Sequence, residues 1–411
     1  MKIRSVTLGV NWREQGKAQL ESGIKGFFEK STALFGKHGI ELRTHRLTLP
    51  AFVIKDSIDN ENINPVVSWI SSFCEASGIR WFCVPFSTFG QHMREVNSVA
   101  IEIAKRHKNA FINFIVASEG QLNRHAILYA SKFIKSVSTL SNNGYDNFRV
   151  GASFNCKPNG PFFPFTYHSG QNGFSIALEL VPLFTDVIEK NKGENIETVR
   201  TKLLEKIAPT LKQIDEIGLK VEQATNMVYY GTDASIAPYP DSDDNSVAKI
   251  VELLGIDGFG SYGTIFLTSF LTDIIQELVA KSKIRSVGFN GVMYSLLEDT
   301  RLGINNSSKE FSIDSLLAFS TVCGCGVDMV PVPGDIFEEE IASIMIDVAG
   351  ISTVLKKPLG VRILPIPGKH AYEFTEFSYD FLHNTRIQKA KHRACFNDFL
   401  NIKEPFSYLS K

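Results

Sequence analysis

The chain has 411 residues, 44% of them apolar and 21% charged, and a formal net charge of −1. That composition suits a soluble globular protein rather than a disordered one, and without a Lys/Arg-rich run nothing predicts binding to nucleic acid or an anionic membrane. The longest apolar stretch, around Ile265 to Val279, is interrupted by Ser, Thr, Asp and Glu and cannot span a bilayer.

Met1 leads directly into Lys2-Ile3-Arg4-Ser5-Val6-Thr7-Leu8, a strand-like run that leaves no room for a signal peptide. The expected location is the cytoplasm. The six cysteines (Cys74, Cys83, Cys156, Cys323, Cys325 and Cys395) are sparse, and the default for them there is the reduced thiol.

Strands rich in Val, Ile, Phe and Thr are predicted at Ile3 to Val10, Glu41 to Leu49, Ile79 to Pro85, Ala110 to Ala117, Phe148 to Phe154 and Phe174 to Leu180. Between the first ones lie helical patterns: Leu20, Ile24, Phe27, Phe28 and Leu34 before a stop at His38-Gly39, then Val66 to Ala76 and Val99 to His107. The alternation predicts an α/β protein. Further on, Glu194 to Leu219 is helical, with Pro209 expected to kink it, and Gly263 to Lys281 forms a long helix. Ile284 to Asn290 and Val361 to Ile366 read as buried strands. Asp335 is placed to cap a helix reaching about Ile351. The pentapeptide Lys2 to Val6 recurs letter for letter at Lys283 to Val287, which is either coincidence or a trace of two-fold duplication within one large domain, residues 1–411.

Several segments carry chemistry. The loop from Asn155 to His168 has prolines and phenylalanines forming an apolar wall, with Asn155, Lys157 and His168 as polar groups at its ends. His168 suits proton transfer near neutral pH, against the plainer reading of a hydrogen-bonded histidine in a structured loop. Glu179 stands in an otherwise apolar strand, where a carboxylate is costly to bury unless paired, ligated or protonated. Asp233 and Ser235 could point the same way, or Asp233 could close an Asx turn on its own backbone. Glu298 and Asp299 diverge whether on a helix or a strand, so one of them at most faces any site, and a solvated helix end is the simpler account. Cys323-Gly324-Cys325 lacks the further ligands of a structural zinc site and reads as two buried thiols or a reactive one; Asp328 is the better acidic candidate in that stretch. No nucleotide-cofactor motif is present, and Gly258 to Thr264 is only a lone Gly-rich helix start.

Taken together, Ile3 to Thr7, Arg46-Leu47-Thr48, Asn147-Phe148-Arg149, Pro161 to Pro164 with Tyr167-His168, Phe174-Ser175-Ile176 with Glu179, Asp233 with Ser235 and Ala237-Pro238, Tyr262-Gly263-Thr264, Glu298-Asp299, Val322-Cys323 with Gly326 to Met329, Pro333-Gly334-Asp335, and Arg362 to Pro365 with Pro367-Gly368-Lys369 resemble the DUF711 (UPF0210) family over almost the whole chain. The resemblance implies a closed ten-stranded β/α barrel similar to that of pyruvate formate-lyase-like glycyl radical enzymes, with an inner hairpin loop on or near which Cys323 would sit. A glycyl radical signature is missing, since Gly360-Val361-Arg362-Ile363-Leu364 lacks the radical glycine. Some relatives accompany a small ACT-domain protein, which implies an amino-acid-like ligand and an ACT-domain partner. Cys325, Thr232 and Ala234 depart from the family pattern.

The expectation is an enzyme of lyase or isomerase type, cytoplasmic and homo-oligomeric, acting on a small polar metabolite inside the barrel. The competing expectation is a non-catalytic small-molecule sensor. In the enzyme reading His168, Glu179, Cys323 and Asp328 are catalytic, and Asn155, Lys157, Arg362 and Ser235 hold substrate. Glu179, Asp233 and Asp328 would bind a divalent ion such as Mg²⁺ or Ca²⁺.

Overall fold

A computed structural model describes residues 2–14, 16–54, 57–90, 92–391, 400 and 406–407, without the side chains of 57–62 and 406–407. Its strands are β1 (Lys2–Gly9), β2 (Glu41–Leu42), β3 (His45–Thr48), β4 (Trp81–Ser87), β5 (Ala110–Ser118), β6 (Gln121–Leu122), β7 (Val150–Phe154), β8 (Gly173–Leu178), β9 (Val228–Asp233), β10 (Gly326–Pro333), β11 (Leu359–Ile366) and β12 (Phe406–Ser407). Its helices are α1 (Lys17–Lys37), α2 (Ser57–Ala76), α3 (Met93–Arg106), α4 (Arg124–Ser138), α5 (Val181–Lys190), α6 (Ile196–Thr225), α7 (Val247–Leu253), α8 (Thr264–Ser282), α9 (Thr300–Ser307), α10 (Ile313–Ser320) and α11 (Glu338–Val354). The architecture is mixed α/β.

One sheet runs in the order β10-β11-β7-β5-β4-β3-β1-β8-β9. Five neighbours, β7, β5, β4, β3 and β1, are parallel to one another. At either side of them the direction reverses, because β1 pairs antiparallel with β8, and β7 with β11. β8–β9 and β10–β11 are again parallel. The strand ladder is open between β9 and β10, and three isolated parallel bridges lie across that opening: Thr232 to Ser286, Ile236 to Val292 and Ser295 to Asp328. Most strand residues are buried, as expected of parallel strands covered on both faces. Outside them α1 packs on α6, α6 on α8, α3 on α4, and α4 on α11.

The inner side is filled by residues 158–168. The Pro161 carbonyl accepts from Thr7 at 3.2 Å, the Pro164 carbonyl from the Cys83 thiol at 3.4 Å, and the Thr166 carbonyl from Asn113 at 3.2 Å, so this segment ties β1, β4 and β5 together. On β7 and β11 it meets glycines, because the space is taken by its own rings. A Cβ on Gly360 would lie 2.6 Å from the Phe165 ring. Gly360→Ala is therefore expected to lower stability by about 1–3 kcal/mol through overpacking, with partial recovery when Phe165→Leu is added; thermal melts of the single and double variants check this.

Two sequence expectations change. Residues 284–290 form no strand: they are exposed or half-buried, and the turn at 289–290 is held by the Asp233 carboxylate, so the second copy of the pentapeptide does not open a strand. Asp335 does not cap α11. That helix starts after Phe337, whose N–H donates to the Glu340 carboxylate at 2.8 Å, while Asp335 stands in solvent 3.8 Å from His370. Cys323 and Cys325 stand just before the buried strand β10. α6 runs on through Pro209, 30 residues in all. Cys395 lies outside the described residues.

Candidate functional site

At the N-terminal end of the five parallel strands is a pocket of about 60 Å³. Arg4 reaches it from β1, Arg43 and Thr44 from the β2–β3 turn, Arg46 from β3, Arg80 and Trp81 from the start of β4, and Phe111 from β5. Phe148 stands before β7, and Phe162, Phe163 and Phe165 come from the inner segment. The opposite wall is Ala237 to Tyr239, Met293, Ser295, Glu298, Cys325, Asp328 and Arg362, with Phe381 beside them.

Two β-bulges aim the charges. Between β10 and β11, Val327 pairs with Val361 and Val330 with Ile363, so Asp328 and Met329 together oppose the single Arg362. Met329 takes a left-handed φ of 53°, which accommodates the extra residue. Between β1 and β8 the register slips from Ile3 to Ser5, and Arg4 is the residue released. A bulge breaks the alternation of side chains and so can re-aim one toward a site.

Five guanidinium groups face two carboxylates around this space. Arg362 grips Asp328 through Nε at 2.7 Å and Nη2 at 2.9 Å, and its Nη2 also meets Glu298 at 2.9 Å. Glu298 accepts from Ser295 at 2.5 Å and pairs with Arg4 at 3.6 Å. Arg43 is held from behind by Glu179, at 2.5 and 3.0 Å, and by Asp241 at 3.5 Å. Arg46 differs. It is 7% exposed, its Nε donates to the Thr44 hydroxyl at 3.2 Å, and among the described residues no carboxylate lies within ion-pairing distance. Its guanidinium lies over Trp81 at 5.3 Å and Phe163 at 5.2 Å; Arg80 lies over the same Trp81 at 4.3 Å and over Phe381 at 5.3 Å.

Burial first, then the charges of Arg4, Arg80 and Arg362, bring the Arg46 guanidinium down to about 9. The pull of Glu298, which lies beyond ion-pairing distance, only partly offsets this, and the group is still charged at neutral pH. Burial pushes Asp328 above the usual carboxylate range against the pull of Arg362. Burial also works to raise Glu298, but Arg362, Arg4 and Arg46 outweigh it and hold that carboxyl below its ordinary value. Two neighbouring carboxyls driven apart in this way are a familiar basis for separate acid and base roles.

The other residues singled out from the sequence fall elsewhere. Glu179 backs Arg43 without lining the pocket. Asp233 accepts from the N–H groups of Ser235, Phe289 and Asn290 and from the Ser235 hydroxyl, so Asp233 and Ser235 together fasten the 288–291 turn. Asn155 donates to Ser352 at 3.0 Å, and Lys157 is exposed. Glu179, Asp233 and Asp328 form no common donor set, and among the described residues no three His, Cys, Asp or Glu side chains gather as a metal site. Asp299 is buried, as is Glu298: it caps α9 by accepting from Leu302 at 2.9 Å and also accepts from Ser246 and Val247. The adjacent pair is thus not a solvated helix end, although only Glu298 faces the pocket.

His168 sits at the other end of β1, where a Cβ on Gly9 would lie 2.2 Å from its Nδ1. Nδ1 bonds the Asn159 side-chain oxygen at 2.9 Å, and buried Nε2 has no partner among the described residues. Burial pushes the imidazole down to about 4 from an ordinary 6.5. The unfolded chain therefore takes the proton first as pH falls, so this contribution to stability is intact above about pH 6.5 and is lost towards pH 4, by up to about 3 kcal/mol. Urea midpoints between pH 7 and 4.5 are expected to fall less steeply in His168→Asn than in the wild type; equal slopes would remove His168 as a source of acid sensitivity.

Sequence reading passed over Arg4, Arg43, Arg46, Arg80 and the aromatic walls as site groups. The signal was present: Arg4 and Arg46 are charges inside apolar strands, the same oddity that drew attention to Glu179.

The fold and the site define a mixed α/β protein with an arginine-rich, aromatic-walled pocket at one end of its sheet. The chain belongs to the DUF711 family, described as an uncharacterised ACR, whose model matches residues 1–383. It is similar to a UPF0210 protein of Acetivibrio thermocellus, 24% identical over 401 residues that cover 92% of this chain and 88% of the relative. A UPF0210 protein of Actinobacillus pleuropneumoniae is 25% identical over 419 residues, covering 96% and 91%. One from Desulforudis audaxviator reaches 35% over 194 residues, covering 46% and 42%. No helix among the described residues is long and apolar enough to cross a membrane.

Proposed function

We propose that the protein is an enzyme that binds a small organic anion, a carboxylate or phosphate ester, in the arginine pocket and transforms it by acid/base chemistry. The observation that carries this reading is Arg46: a buried guanidinium with no carboxylate in ion-pairing contact, lining the pocket. A buried charge is costly unless something pairs with it. Arg46 and Arg80, both against Trp81, would take the anionic group in bidentate fashion, while the phenylalanines would cover the apolar body. Asp328, raised above its usual range and set by Arg362, would move the proton, and Glu298 would stay ionised. An amino-acid-like ligand remains within this class through its carboxylate.

Residues 284–295, although not a regular strand, would serve as the tenth stave of a barrel, since their three parallel bridges reach Thr232 in β9, Ile236 just beyond it and Asp328 in β10. That reading, similar to the pyruvate formate-lyase-like barrels, puts the pocket at the mouth of the enclosed interior.

Isothermal titration with a panel of small carboxylates and phosphate esters at low salt tests the binding. One or more is expected to bind saturably, with Asp328→Asn keeping the affinity. NMR of the bound compound with catalytic protein should show conversion that Asp328→Asn slows by about 10²–10⁴-fold. No binder in the panel would sink the anion reading; binding without conversion would leave a binding protein rather than an enzyme.

A further inference from the structure

Of the five guanidinium groups that line the pocket, three are engaged by the protein itself. Arg362 uses Nε and Nη2 on Asp328, Nη2 also on Glu298, and Nη1 on the Phe148 carbonyl at 3.2 Å. Arg4 pairs with Glu298 at 3.6 Å and donates Nη1 to the Pro238 carbonyl at 2.6 Å. Arg43 is gripped by Glu179 through Nε and Nη2. Its further partner Asp241, at 3.5 Å, has a side chain 40% exposed, so that charge is screened by water.

Arg46 and Arg80 differ from these three. Among the described residues neither has a carboxylate within ion-pairing distance. Aromatic faces hold them instead: both lie over Trp81, with Phe163 also against Arg46 and Phe381 against Arg80. A ring face holds a guanidinium without using up its N–H groups, and Arg46 donates only Nε, to Thr44. We infer that the ligand of this pocket is a compact dianion, a phosphomonoester or a short dicarboxylate, whose two negative charges are matched by Arg46 and Arg80. The inference names the substrate class of the proposed function and rests on that reading of the pocket.

The charge count points to two negative charges rather than one. Arg362 and Arg4 are balanced by Asp328 and Glu298, and Arg43 by Glu179, so five guanidinium groups face three buried carboxylates and two positive charges are left over. A monoanion would neutralise one of them and leave the other unmatched against the same indole. A dianion satisfies both, and each contact is a charge-assisted hydrogen bond. The volume limits the rest of the molecule. About 60 Å³ holds roughly four to six waters, so the body that carries the charges is short, and a nucleotide is too large.

Titration calorimetry of the full chain at pH 8 and fixed ionic strength compares isosteres of different charge: methyl phosphate with methyl sulfate, and malonate with malonamate. The phosphate ester is a dianion there, since its second pKa is about 6. At least one dianion is expected to bind about tenfold or more tighter than its monoanionic isostere, and the pair that shows the preference tells a phosphomonoester from a dicarboxylate. Arg80→Met, at an exposed position and checked for an unchanged melt, should bring that ratio close to one while the monoanion still binds. Monoanions that bind as tightly as their dianionic isosteres would overturn the inference and leave the anion pocket standing. A preference that survives Arg80→Met would overturn it as well. So would no binding in either pair, and the wider panel of carboxylates and phosphate esters then shows whether the proposed function falls with it.

Discussion

Arg46→Met is expected to make the protein more stable while it abolishes tight anion binding. In the wild type the guanidinium is buried, unpaired and flanked by three other arginines whose charges oppose it. An unbranched apolar side chain would keep the contacts with Trp81 and Phe163 and remove the buried charge, a gain of about 1–3 kcal/mol by analogy with other buried ionic groups. The same change takes away a charge-assisted bidentate contact, worth about 1.5–3 kcal/mol, so affinity should fall by roughly ten- to 150-fold. The two effects oppose each other, which separates a ligand-binding arginine from a structural one. An anion that saturates the wild type should raise its melting temperature by clearly more than it raises the variant's. Urea melts and titration calorimetry on the same preparations give both numbers. A variant that is strongly destabilised, or that binds as the wild type does, would show that Arg46 serves the fold.

Arg362→Met should do the reverse. This arginine neutralises both Asp328 and Glu298 at one buried point. Without it two carboxylates share a low-dielectric site with only Arg4, at 3.6 Å from Glu298, as partner. Breaking a buried ion network from one side typically costs about 3–5 kcal/mol, because an uncompensated charge is left behind. The loss should be greatest at neutral pH and shrink as pH falls to about 4.5, since each unpaired carboxyl acquires a raised pKa and escapes its penalty by protonation. Adding Asp328→Asn to Arg362→Met should recover much of the stability at pH 7, a non-additivity that independent sites would not show. A penalty that does not change with pH would mean that the packing of Arg362, whose guanidinium lies 5.4 Å from the centre of the Phe148 ring, matters more than its pairing with the carboxylates.

Most of the strand and helix positions in the first half could be read from the chain, because buried parallel strands are continuous apolar runs and the covering helices are amphipathic. Ile3, Val6 and Leu8 in β1, or Leu20, Ile24 and Phe27 in α1, carry their structural role in their spacing. The reading failed where partners are distant. Residues 284–290 have strand-like composition, but the Asp233 carboxylate, more than fifty residues earlier, holds the following turn. Asp335 has the chemistry of a cap, but three glutamates follow it and Glu340 performs that role.

The site divides in the same way. Asp328 and Arg362 were candidates in the chain, one as an acid and the other as a substrate-holding cation, and the structure joins them. Nothing local tells that Arg4 and Asp328 leave the regular alternation, because a bulge is a mismatch between two strands and exists only once they pair. Nor does local sequence tell which arginine keeps a counter-ion: Arg43 finds Glu179 and Arg46 finds none, although they are three residues apart. The sequence by itself determined the α/β class, the family and the residue types available for chemistry, since these follow from hydropathy, spacing and motif. Only the tertiary structure decided that five guanidinium groups and two carboxylates share one pocket with one buried charge left unpaired, because charge balance depends on distance through space rather than along the chain.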